Sequence, residues 1–145
     1  MADGMIWHGI PEFKAALDKA VADAYKAGQR GANNAAALVD KTVKAKLSLT
    51  THKRGTPTPS RPGEPPSLIS GQMRRSVLIV PAVPYGATAW KSQVGPTAVQ
   101  SRVQELGGST GTTVLPARPY LEPSVKELID SGALWLAFRS GYGSF

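Results

Sequence analysis

Apolar residues recur along positions 10–49 at three- and four-residue steps. Ile10, Phe13, Leu17, Val21 and Ala24 begin the stripe, and Ala35, Leu38, Val39, Val43 and Leu47 resume it. Lys14, Lys19, Asp23, Lys26 and Lys41 occupy the opposite face. The pattern predicts an amphipathic helix. Pro11 suits its first turn, where a missing N–H does no harm, and Glu12 suits the positive end of the dipole. Gly28 and Gly31 are expected to bend or break the helix, each disfavoured by about 1 kcal/mol against alanine. If unbroken, the helix runs roughly 60 Å at about 1.5 Å per residue. That is more than a globule of this size covers, so part of the stripe would need another chain to bury it.

The pattern then changes. Residues 50–66, "TTHKRGTPTPSRPGEPP", have no period and contain five prolines. They read as an extended, basic, mobile arm, ordered by a partner rather than by the chain's own core. Ser70 to Arg75 reads as a turn or a single helical turn anchoring that arm, with Ile69 and Met73 facing inward. "SVLIVPAV", Ser76 to Val83, reads as a strand whose Pro81 implies an edge or an end. Thr88 to Val94 alternates, with Trp90, Ser92 and Val94 on one side, and forms a second strand joined through Pro84 to Gly86. Val99, Val103 and Leu106 predict a short helix over 97–106. Gly107 to Gly111 reads as a flexible loop and Thr112 to Leu115 as a third strand. Residues 119–139 predict a second amphipathic helix, with Leu121, Val125, Leu128, Ile129, Gly132 and Leu136 inward. This order predicts an α+β fold: a long N-terminal helix and a C-terminal helix packed on a small, mainly antiparallel sheet. A single domain over 1–145 is expected, with the 50–66 arm inside it.

Composition adds limits. The chain holds 15 glycines and 12 prolines, which favours long loops over a bundle. Its net charge of +7 suits contact with nucleic acid or with an acidic protein surface. With no cysteine, disulfide and thiolate chemistry are excluded. "MADGMIWHGIPEF" lacks the basic and apolar regions of a secretory signal, and "ALWLAF" is too short to cross a bilayer. A soluble cytoplasmic product is expected.

Catalytic patterns are weak. "GGSTG", Gly107 to Gly111, has the spacing of a nucleophile elbow, but no histidine follows His52 and no helix follows the motif. His8 and His52 have no partner at metal-ligand spacing, and the few carboxylates form no acid–base pair. No catalytic residue, metal or cofactor is expected. Lys53, Arg54, Arg61, Arg74 and Arg75 cluster in the arm and the turn after it. They fit a grip on phosphates, a solvated loop, or docking on an acidic neighbour; no aromatics are interleaved for base stacking. In "LPARPYLEPSV", Pro116 and Pro119 fix an extended approach to the last helix. Arg118 between them is expected to pair with a carboxylate, Glu105 first.

Three segments in order resemble the tail-completion, or tail-to-head joining, family of long-tailed bacteriophages. They are "PGEPPSLISGQMRRSV", "RVQELGG" and "LPARPYLEPSV", following a long N-terminal helix. The family's serine/threonine-Gly-x-Leu-Arg-x-Ser pattern falls on Ser70, Gly71, Met73, Arg74 and Ser76, with methionine in place of leucine. Its glutamate segment falls on Glu105, with Ser101-Arg102 where a Tyr-Ala pair is common. Its last pattern falls on Arg118, Pro119, Tyr120, Leu121 and Pro123. The resemblance implies a structural, non-enzymatic protein of the virion neck. It would form a ring, commonly a hexamer, between the tail tube protein and the head-completion or connector protein. Genomic DNA would pass through the lumen with at most non-specific contact, and no membrane would be involved. Pro65, Pro66 and the basic residues of the arm would then serve contacts between subunits. A head-closure or minor tail subunit, or a basic nucleic-acid-binding module, are the alternatives.

Overall fold

A 37-residue helix, α1 (Ile10–Lys46), is the longest described element. The computed structural model describes residues 9–55 and 60–143, with Thr110 described by its backbone only. His8, the arm positions 56–59 and the last two residues of the tail lie outside the described residues. The remaining elements are α2 (Gln72–Ser76), β1 (Val77–Tyr85), β2 (Ala89–Pro96), α3 (Ser101–Leu106), β3 (Gly108–Thr110), β4 (Thr113–Leu115), α4 (Leu121–Asp130) and α5 (Ala133–Arg139). A 3₁₀ turn over Ser140–Tyr142 follows. The expected α+β architecture is present: a long helix, a small antiparallel sheet and C-terminal helices. No described helix is long and apolar enough to cross a membrane.

Gly28 and Gly31 do not break α1; they let other elements approach it. Gly28 lies under the Trp90 ring and the Tyr142 hydroxyl, and Gly31 lies against Phe138. A Cβ on Gly141 would strike the backbone of Gly31 and the Ala27 carbonyl, so the 3₁₀ turn and α1 meet backbone to backbone. The helix penalty of two glycines is offset by this close packing.

The strands β1 and β2 pair antiparallel, from Val77↔Pro96 to Tyr85↔Ala89. The strand does not end at Pro81. Register shifts between Val80 and Val83, so the proline sits in an irregularity where no ladder N–H is required. There α1 takes over the ladder's hydrogen bonds. The Ala82 N–H donates to Asn33 Oδ1 at 2.8 Å, and Gln29 Nε2 donates to the Ala82 carbonyl at 3.4 Å. The alternation of β2 appears as expected, with Trp90, Ser92 and Val94 less exposed than Lys91 and Gln93. Trp90 Nε1 donates to the Tyr25 carbonyl at 2.8 Å and its ring packs on Tyr25.

Three expectations need correction. The segment read as a flexible loop contains β3, which pairs with β4 as a separate two-stranded ribbon. Gly111, at φ +68°, makes the reversal that lets flanking threonines pair. The helix expected over 119–139 is two helices, because Gly132 adopts φ +71° between them. That break resets the helical phase after it, leaving Leu136 exposed and turning Phe138 toward α1, while Ile129, expected inward, is exposed on α4 beside the buried Leu128. Finally, α3 starts only at Ser101; six residues bury little, and Val99, Leu106 and the nearby Ile69 stay exposed.

The core joins α1 to the start of β1 and of α4. Val43, Leu47, Val77 and Tyr120 are fully or almost fully buried, with Val39, Met73, Val94 and Leu121 packed around them. Met73 and Leu121 thus face inward as their sequence positions suggested.

Candidate assembly surfaces

Tyr120 and Leu121 open α4 beneath the carboxylate of Glu105. Glu105 Oε2 accepts the N–H groups of Tyr120 (2.9 Å) and Leu121 (3.0 Å), and Oε1 accepts that of Glu122 (2.8 Å). A helix start leaves such N–H groups without intrahelical partners, and its dipole favours a negative charge there. Pro123, next in line, has no N–H to satisfy. Glu105 therefore caps α4 from fifteen residues upstream, replacing a local side-chain cap.

Arg118 does not pair with Glu105, because the carboxylate is already taken up by the backbone of α4. Arg118 is buried, and its Nε donates to the Ser60 carbonyl at 2.9 Å. Its backbone N–H donates to the Gln104 carbonyl. Pro119 fixes φ between Arg118 and the helix start at Tyr120. The Gly63 N–H donates to the Ala117 carbonyl at 3.0 Å. Thr51 pairs with Leu68 through an isolated parallel bridge, in which the Leu68 N–H donates to the Thr50 carbonyl and the His52 N–H to the Leu68 carbonyl, and the hydroxyls of Thr50 and Ser67 meet at 2.9 Å. The described ends of the proline-rich segment are therefore hydrogen-bonded to the chain's own body, and positions 56–59 of the expected arm lie outside the described residues.

Tyr120 carries the one perturbed titration among these residues. Burial pushes its phenol pKa up; the Ser101 hydroxyl opposes the shift and the Glu105 carboxylate adds to it.

The basic residues divide. Lys53, Arg74 and Arg75, with His52, line one shallow depression of about 810 Å³ beside Gly71. Arg54 and Arg61 are exposed elsewhere on the loop, while Pro65 and Pro66 are half-buried. Ser109, the serine of "GGSTG", is on β3, where its hydroxyl donates to the Gly111 carbonyl. Among the described residues no group of three or more histidines and carboxylates is placed to hold a metal.

Two apolar surfaces remain uncovered by described residues. Every residue from Ile10 to Ala24 is exposed, and Phe13 keeps 71% of its surface in contact with solvent. Farther along, Ala35, Ile129, Leu134, Trp135 and Phe138 line an almost wholly apolar groove of about 400 Å³. Trp135 and Phe138, both lining it, stack with ring centroids 5.8 Å apart. The sequence signal for this groove was "ALWLAF", an apolar run too short for a bilayer yet too rich for a solvated helix.

Comparison with protein-family models, with curated proteins and with solved structures finds no match to this chain.

Proposed function

We propose that this chain is a structural, non-enzymatic subunit that assembles into a ring. More narrowly, we read it as a tail-completion protein of a long-tailed bacteriophage, seated between the tail tube and the head connector with DNA passing through the lumen. The observation that carries this reading is the junction around Glu105. The first of the three segments that resemble the family lies well before the other two in sequence, yet all three meet there: Glu105 caps the helix opened by Tyr120, Arg118 holds the loop at Ser60, and Met73 packs on the same core as Tyr120. The uncovered stripe on α1 supports self-assembly, since a ring needs head-to-tail contacts that close.

Reconstruction of the virion neck tests the reading. A ring of this chain at the head-proximal end of the tail tube is the expected result. Density for the chain elsewhere in the particle would assign it to head closure or a minor tail role. A second reading, nucleic-acid binding, is favoured by the placement of Lys53, Arg74 and Arg75 around one depression. It predicts duplex affinity that falls with salt at a slope of about −0.9 per phosphate contacted. The neck reading predicts weak binding with a shallow slope.

A further inference from the structure

We infer that the bare N-terminal half of α1 docks through Phe13, Leu17 and Val21 into the Trp135 groove of a second copy of this chain. The inference deepens the ring reading and rests on it. Both surfaces are apolar and both are left uncovered by the described residues of a single copy. They cannot meet within that copy. α1 is one helix from Ile10 to Lys46 with no left-handed residue inside it, and Ala35 of the groove belongs to the same helix as Leu17. At about 1.5 Å per residue the two are held some ~27 Å apart along a rigid rod.

Phe13, Leu17 and Val21 form a single ridge at four-residue spacing, the form in which a helix enters an apolar groove. Charges do not oppose the contact. The arm carries a Lys14–Asp18 pair at 3.5 Å, and α4 at the groove carries a Lys126–Asp130 pair at 3.1 Å, so neither surface has a one-signed field. Covering both surfaces selects a head-to-tail arrangement. In a closed ring each copy both donates an arm and receives one, so the ridge and the groove of every copy are covered. Arm-to-arm pairing would cover the ridge but leave the groove open to water.

The chain has no cysteine, so single-cysteine variants report contacts without background. Leu17→Cys and Ile129→Cys proteins, both full-length, are mixed and treated with a short bifunctional maleimide. The expected result is a Leu17–Ile129 adduct that exceeds either same-site adduct. In sedimentation, Leu17→Asp should weaken self-association by about tenfold to a hundredfold, with circular dichroism confirming that the helix persists. Trp135→Ser should act in the same direction from the groove side. A dominant Leu17–Leu17 adduct would overturn the proposal in favour of arm-to-arm pairing. A wild-type chain that stays monomeric at millimolar concentration would also overturn it. A ring that survives Leu17→Asp without the mixed adduct would overturn the docking and leave the ring reading standing. Absence of this chain from the neck would overturn the phage reading while leaving the adduct unexplained by it.

Discussion

The two halves of α1 share one periodicity and differ in what covers them. From Ile10 to Ala24 every residue is exposed, although Ile10, Phe13, Leu17 and Val21 keep an apolar stripe. From Ala27 onward the same helix buries Ala27, Gly28, Gly31, Ala36 and Val43. The difference lies in what the rest of the chain brings to each half. At Ala27, Gly28 and Gly31 small residues let Trp90, Phe138 and the Gly141 backbone approach closely, and at Val43 a larger one packs on Val77 and Tyr120. The other half meets nothing described. Periodicity shows that a helix has an apolar face; it does not show whether its own fold covers that face.

This contrast predicts large stability effects on one side and almost none on the other. Tyr120→Ala empties the most buried aromatic position and should cost about 3–5 kcal/mol in chemical denaturation. Gly141→Ala drives a methyl into the backbone of α1, and a loss of about 1–3 kcal/mol is expected in the same assay. Glu105→Ala strips the cap from three backbone N–H groups. A cost of about 1–3 kcal/mol is expected, with faster amide exchange at the start of α4. Phe13→Ser, in the bare half, should change monomer stability by less than about 0.5 kcal/mol while weakening self-association. If it instead unfolded the monomer, the bare half would have a partner within its own chain.

The smallest effect is a pH dependence. The native Tyr120 phenol has a raised pKa, while the unfolded chain releases that proton near about 10. Between the two values the native state holds more protons, so stability falls as pH rises. The contribution is complete below about 10 and is lost as pH climbs through the native value. Tyr120→Phe should remove that part of the alkaline decline, measured as the difference between the two proteins' denaturation curves above pH 10. An identical decline in both would show that the phenol's burial contributes nothing to it.

Much of the fold could be read from local pattern. The stripe of α1, the alternation of β2 and the inward position of Leu121 follow from side-chain period, and the inward Met73 from the turn that precedes β1. What could not be read depended on distant atoms. Pro81 looked like a strand end because Asn33 and Gln29, on α1, replace the lost ladder bonds. Gly28 and Gly31 looked like breaks because the packing that compensates them comes from residues 90 to 142. Glu105 and Arg118 were singled out together, yet charge pairing was the wrong relation between them. The carboxylate is occupied by the start of a helix, and the guanidinium by a loop carbonyl. The groove was missed because it exists only after Gly132 divides the last helix in two.

Amide hydrogen exchange along α1, in the dilute chain and in the assembled ring, tests the central claim most directly. The account predicts that 27–46 are protected in both states, while 10–24 exchange quickly in the dilute chain and become protected on assembly. Equal protection of the two halves in the dilute chain, or fast exchange of 10–24 in the assembled ring, would contradict it.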